Sequence, residues 1–113
     1  MRNKYNTSPK DQRTHEGIVF DSKLEMNYYK RLLLLKNATM KELKVVDIKM
    51  QYVFQLSVNE KKVCKYVCDF VVTYADGRIE YIDVKGFKTA IYRLKKKFVE
   101  AQFGIEIIEI TKV

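Results

Sequence analysis

Residues 69–85 read DFVVTYADGRIEYIDVK, and the way this stretch pairs with itself decides the fold. Two apolar runs flank Asp76-Gly77, the pattern of a β-hairpin with Asp69 on its first strand and Asp83 and Lys85 on its second. Asp83 and Lys85 are two apart and so share a strand face. A two-residue Asp76-Gly77 loop pairs Ala75 with Arg78, sets Asp69 opposite Val84 and sends the aspartates to opposite faces. A three-residue loop over Ala75, Asp76 and a left-handed Gly77 pairs Tyr74 with Arg78 instead. Asp69 then lies opposite Asp83, with Cβ atoms roughly 4.5–5.5 Å apart. Only the second register builds a site. Carboxylates that close repel and lose hydration unless a cation or a shared proton intervenes. A solvated polar edge is the plain alternative for Asp69, Asp83 and Lys85. Against it, Val67, Phe70, Val71, Val72, Ile79, Tyr81, Ile82 and Val84 make both strands apolar on both faces, as in a covered central pair.

The surrounding composition narrows the partner. The 113 residues suit one domain, and 47% of them are hydrophobic. Lysine and arginine total 22 against 14 acidic residues, a net charge of +8, which suits a polyanion such as nucleic acid. A membrane surface is the competing reading, but no basic amphipathic helix with an exposed apolar face stands out. The opening MRNKYNTSPKDQRTHEG has neither an apolar core nor a cleavage pattern, so neither a membrane span nor a secretory leader is expected, and the expected compartment is the cytoplasm. Cys64 and Cys68 sit four apart on one strand, roughly 13 Å, too far for a mutual disulfide. With His15 as the sole histidine, no zinc site is expected.

In chain order, residues 1–17 carry Arg2, Lys4, Lys10, Arg13 and the single proline without apolar periodicity, which reads as a flexible basic arm before one domain over 18–113. Asp21 to Lys36 is helical, with Leu24, Tyr28, Leu32 and Leu35 as its buried stripe. Glu25 borders that stripe and has two readings: the S-x-x-E capping box with Ser22, or a functional carboxylate. Residues 45–58 alternate as one long strand, with Val46, Ile48, Met50, Tyr52, Phe54, Leu56 and Val58 on one face and Asp47, Lys49, Gln51 and Gln55 on the other. A turn over 59–62 leads into the second strand, so three sequential strands form a meander. Thr89 caps a second helix that Gly104 ends, with Ile91, Leu94, Phe98 and Ala101 as its expected core face. Lys95 and Gln102 fall within about 40° of the Ile91 edge of that face and lean toward the sheet. Arg93, Lys96 and Lys97 form a surface suited to phosphates, or simply a solvated one. Residues 105–110 make a last strand that returns parallel to an earlier one.

The resulting order, helix, three strands, helix, strand, is an α/β (α+β) fold with a mixed four-stranded sheet flanked by two helices. With Glu25 in FDSKLE, Asp69 in CDF and Asp83-Val84-Lys85 in DVKG, residues 18–110 resemble the PD-(D/E)XK nuclease superfamily, whose restriction-endonuclease-like core has this αβββαβ order. More narrowly, GIVFDSKLEMNYYKRL, QYVF and YIDVKGFKT are similar to small phage-encoded endonucleases related to Holliday-junction resolvases. Val67-Cys68 stands where the superfamily often has proline, a position without a chemical role.

The resemblance implies Glu25, Asp69, Asp83 and Lys85 as catalytic residues. Asp69, Asp83 and the Val84 carbonyl, with Glu25 as a further candidate, would bind Mg²⁺, for which Mn²⁺ substitutes. Lys85 would orient or activate the attacking water and stabilise the transition state. Lys88, Arg93, Lys95, Lys96 and Lys97 would contact DNA, with Gln51 and Gln102 in support. The implied activity is hydrolysis of DNA phosphodiesters, structure-specific on branched DNA, in phage DNA processing within the host cytoplasm. The alternatives are a nicking or linear-duplex endonuclease, a catalytically silent nucleic-acid-binding module, and an unrelated basic RNA-binding domain. One site per chain implies a C₂ homodimer for symmetric double-strand cutting.

Overall fold

The computed structural model of the chain describes residues 8–113. Helix α1 (Lys23–Leu35) precedes two long strands, β3 (Val45–Val58) and β4 (Lys61–Tyr74), which form a hairpin. The meander continues into β5 (Ile79–Val84), helix α2 (Ala90–Phe103) crosses over, and β6 (Ile107–Ile110) returns. The sheet runs β3-β4-β5-β6, antiparallel except for the β5–β6 pair. A parallel pair needs a crossover, and α2 supplies it. The protein is thus α+β, with αβββαβ order and a mixed four-stranded sheet. No described helix is long and apolar enough to cross a membrane.

Residues 10–17 depart from the expected free arm. Lys10–Arg13 make a 3₁₀ turn, and β1 (Thr14–His15) pairs with β2 (Ile18–Val19). Arg13 organises the segment: Nε donates to the Ser8 carbonyl at 2.8 Å, Nη1 donates to the Phe20 carbonyl, and the Phe20 N–H donates back to the Arg13 carbonyl at 2.9 Å. The guanidinium's several donors hold the backbone here without any apolar repeat to announce it. Residues 1–7 of the expected arm lie outside the described residues.

Two apolar layers sandwich the sheet. Against α1 pack Phe20, Tyr28, Leu32, Phe70, Val72, Ile82 and Val84, while Phe54, Leu56, Tyr66, Cys68, Val71 and Ile107 pack with Val99 of α2. These assignments reverse the even-numbered residues partway along both long strands. Ile48 and Met50 belong to the α1 layer but Phe54 and Leu56 to the α2 layer; Phe70 and Val72 face α1 but Tyr66 and Cys68 face α2. The reversal falls between the paired residues Met50↔Phe70 and Tyr52↔Cys68, at Gln51 and Asp69. Gln51 has φ +52°, and one left-handed residue breaks the pleat so that alternation resumes in the opposite phase. The expectation of seven residues of β3 on one face is corrected accordingly, and Val46 and Val58 are exposed.

The second helix is also rotated from its expected face. Val99 is its fully buried residue, with Tyr92 and the expected Phe98 packed beside it, whereas Ile91 and Leu94 are each 64% exposed and Ala101 is exposed as well. Apolar residues lie on several sides of α2, so its pattern alone does not choose which stripe meets the sheet. Thr89 and Gly104 cap it as expected: the Thr89 hydroxyl accepts from the Tyr92 N–H, and Gly104 is left-handed at φ +65°.

Candidate active site

The β4–β5 register is the one that brings the aspartates together. Thr73 pairs with Ile79, Val72 with Glu80, Val71 with Tyr81 and Phe70 with Ile82. At the bend the Tyr74 N–H donates to the Arg78 carbonyl, and Ala75, Asp76 and a left-handed Gly77 (φ +93°) form the three-residue loop. The Arg78 N–H donates to Asp76 Oδ1 at 2.9 Å, which closes the loop from its own side chain.

One rung beyond Phe70↔Ile82 the two strands are joined by side chains. The Asp69 N–H donates to Asp83 Oδ1 at 3.1 Å, and the Val84 N–H donates to Asp69 Oδ2 at 2.9 Å. Beyond this point β5 continues only toward β6, where the Lys85 N–H donates to the Ile110 carbonyl at 2.9 Å. The carboxylates therefore sit in the fork where β4 and β5 part. Asp83 is fully buried and Asp69 is 7% exposed. Burial pushes the pKa of each above the ordinary aspartate value, while the accepted N–H bonds and the Lys85 charge pull the other way.

Glu25 reaches this fork from α1 and is 4% exposed. Its two readings separate cleanly: the backbone N–H of Glu25 donates to the Ser22 hydroxyl at 3.0 Å, so Ser22 caps the helix, but the carboxylate accepts from the Gln51 side-chain amide at 3.4 Å. Burial, then the charges of Asp69, Asp21 and Asp83, push its pKa up to about 8, against a smaller downward pull from Lys85. Gln51 also supports the Asp69 carboxylate, so its left-handed backbone places one amide between two acids.

Lys85 projects from the same face of β5 as Asp83 and lies 4.7 Å over the ring of Tyr92. Among the described residues it makes no ion pair within 4 Å. Tyr92 is anchored in turn: its hydroxyl donates to Glu109 Oε2 at 2.8 Å, and Lys88 pairs with Glu109 Oε1 at 3.2 Å. Neither Tyr92 nor Glu109 was expected in the site, since β6 and the true face of α2 meet β5 only in three dimensions.

The other expected residues divide. Arg93 and Lys97 are exposed, Lys95 is half-buried, and none of the three makes an ion pair among the described residues. Lys88 is engaged with Glu109 and Lys96 with Glu100 at 3.5 Å. Gln102 lies away from the fork, where its Oε1 accepts from the Ser57 N–H at 3.0 Å, six residues and roughly 20 Å along β3 from Gln51. It fastens α2 to the bulge between Leu56 and Ser57.

The donor chemistry bears on a metal ion. Asp83 Oδ2 is a buried oxygen that accepts no hydrogen bond, with the Tyr92 hydroxyl, which donates to Glu109, near enough to favour the Asp83 charge; a cation would satisfy it more fully. Among the described residues no three His, Cys, Asp or Glu side chains are gathered around one point to hold a metal. In donor type the aspartate pair is compatible with Mg²⁺, which commonly uses one or two protein carboxylates and keeps several waters. Cys64 and Cys68 are free thiols, and burial pushes that of Cys68 up to about 11.

No curated protein and no solved structure matches the chain. Residues 2–112 match the family described as "Protein of unknown function (DUF1064)", and this αβββαβ protein with paired buried aspartates belongs to that family.

Proposed function

We propose that this protein is a divalent-metal-dependent endodeoxyribonuclease of PD-(D/E)XK type, acting on branched or otherwise irregular DNA. The observation that carries the reading is the fork itself: Asp69 and Asp83 are crossed on each other's backbone, with Asp83 Oδ2 buried and unpartnered. Asp69 and Asp83, with the Val84 carbonyl, would hold Mg²⁺ or Mn²⁺. When bound, the ion supplies Lewis acidity, lowering the pKa of a coordinated water and offsetting charge on the phosphate.

The chain's own groups do the rest. Lys85, steadied on Tyr92, presents a cation near the aspartates and would stabilise negative charge growing on phosphoryl oxygens. Glu25, whose pKa is raised in the metal-free chain by burial and by the neighbouring acids, stands at the fork where its carboxyl group would exchange a proton with water. Gln51 keeps Glu25 and Asp69 apart and oriented. Arg93, Lys95 and Lys97 would meet the DNA backbone, consistent with the net charge of +8. One such site cuts one strand, so paired cuts require two copies. We propose a C₂ homodimer.

The test is incubation of the purified protein with four-way, flap, nicked and linear DNA, with Mg²⁺ or Mn²⁺ and with EDTA. Metal-dependent cleavage that favours the branched DNAs is the expected result. Preference for linear or nicked duplex would move the target while keeping the chemistry. Salt-sensitive binding without cleavage of any DNA would sink the nuclease reading in favour of a silent binding module.

A further inference from the structure

On the α2 side of the sheet an open groove of about 470 Å³ is lined by Tyr52, Phe54, Tyr81 and Phe103, with Val53, Gln55 and Ile105. Phe54 is its floor, packed edge-on to Tyr52 at 5.0 Å and tilted against Phe103 at 5.0 Å and Tyr81 at 5.8 Å. Tyr52 and Phe103 are 41% and 43% exposed, an unusual state for two large rings beside one opening. The reversal at Gln51 is what creates the groove, because it turns Tyr52 and Phe54 toward the α2 side.

Three features identify an occupant. First, the groove shares a strand face with the fork: Tyr81, Asp83 and Lys85 alternate with Ile82 and Val84, which pack toward α1, so all three lie on the other face at steps of roughly 7 Å. Second, a cation stands at the rim, with Lys49 Nζ 5.8 Å from the centre of the Tyr52 ring. Third, the lining is mainly aromatic, with Val53 and Ile105 beside the four rings. Flat ring faces with a cation at the rim suit a nucleobase tethered to a phosphate.

We propose that the groove between Tyr52 and Phe103 binds an unpaired nucleobase of the DNA strand whose neighbouring phosphate lies at the mouth of the fork, beside Lys85. This deepens the nuclease reading, on which it rests for the position of the phosphate. The substrate class becomes DNA with single-stranded or melted nucleotides beside the cut. A base in a continuous duplex is stacked and does not reach the groove without being unpaired.

Binding is measured in EDTA, so that cleavage plays no part, using a short fluorescein-labelled oligothymidylate and a duplex of equal length. The chain has eight tyrosines and no tryptophan, so stacking on Tyr52 is also read as quenching of tyrosine emission. Tighter binding of the single strand is expected, with saturable quenching. Tyr52→Ala and Phe103→Ala should each weaken it about tenfold with an unchanged salt slope, since stacking is lost but no phosphate contact is. Tyr52→Phe should keep the affinity. Both sites are surface positions, and unchanged melting of the variants confirms that they fold. Equal single-strand affinity in wild type and both alanine variants would overturn the proposal, as would a duplex preference in the wild type. So would variants that change only the mass of the particle in solution, which would mark the groove as a contact between copies. Groove-dependent binding without Mg²⁺-dependent cleavage would uphold the groove and refute the nuclease. Cleavage indifferent to both variants would do the reverse.

Discussion

Asp69 and Asp83 hold each other's strands: the Asp69 N–H donates to Asp83 Oδ1 at 3.1 Å, and the Asp69 carboxylate accepts the N–H of Val84, the residue after Asp83, at 2.9 Å. Two acids that would repel in isolation thereby replace the ladder rung missing where β4 and β5 part. Each is fixed by one N–H, and Asp83 keeps one buried oxygen unpartnered.

Asp83→Asn tests this arrangement most directly. It removes the charge proposed to hold the metal and places an amide where the Asp69 N–H now donates to a carboxylate oxygen. Cleavage should fall by orders of magnitude, while DNA affinity in EDTA stays level or rises slightly as a negative charge near the phosphate disappears. Near-normal turnover in single-turnover assays would rule out Asp83 as a ligand.

Glu25→Gln separates chemistry from capping. Because Ser22 caps the helix through the Glu25 backbone N–H, the amide variant should melt within a few degrees of wild type, and no lower at pH 8. Its cleavage rate should fall at least a hundredfold if the carboxyl group exchanges a proton, roughly the size of a general acid–base contribution. A thermally weakened but fully active variant would return Glu25 to a purely structural role.

The pH dependence of stability follows from the same carboxyl groups. Glu25 titrates at about 8 in the folded chain against 4.5 as its ordinary value, and Asp69 and Asp83 are shifted upward too. The folded state therefore binds more protons than the unfolded state across this window, and stability falls as pH rises from about 4.5 to about 8. Melting curves in EDTA should show the decline, with a plateau above it. Added Mg²⁺ should raise the melting temperature more at pH 8 than at pH 5, because the carboxylates are ionised there. A melting temperature that climbs steadily from pH 5 to pH 8 in EDTA would contradict the shifts.

Gly77→Val probes the register. An added Cβ at Gly77 meets no atom within 4 Å, so the cost is wholly that of φ +93° for a branched side chain. A destabilisation of about 1–2 kcal/mol is expected, larger than at ordinary surface positions, with Gly77→Asn milder. Loss of Mg²⁺-dependent stabilisation in the valine variant would show the aspartates pulled out of register.

Gln51→Gly should be both less stable and less active than wild type. Glycine adopts φ +52° without the left-handed penalty, worth about 1 kcal/mol, but leaves the buried carboxyl groups of Glu25 and Asp69 without their amide partner, at a cost of about 1–3 kcal/mol. Denaturant midpoints and cleavage rates on the same preparations decide it, and a variant more stable than wild type would show that the amide contributes nothing to the fold.

Local chemistry in the sequence determined a good deal of this protein by itself. Ser22 and Thr89 as caps, Gly104 as a helix stop, and the limits of the long strand 45–58 all depend on neighbours a few residues away. Gly77 marks the bend, because a left-handed residue there costs glycine little, but a two-residue Asp76-Gly77 loop would use it equally well, and it was the folded hairpin that put Asp69 opposite Asp83. What only the tertiary structure decided depends on groups distant in the chain. The left-handed turn at Gln51 is stabilised by a carboxylate from α1 and another from β4, so nothing in QYVFQL announces that Tyr52 and Phe54 change sides. The rotation of α2, which buries Val99 and Tyr92 and leaves Ile91 and Leu94 outside, was settled by the shape of the sheet it meets. That rotation brings Tyr92 beneath Lys85 and against Glu109, joining three elements that no spacing in the sequence connects.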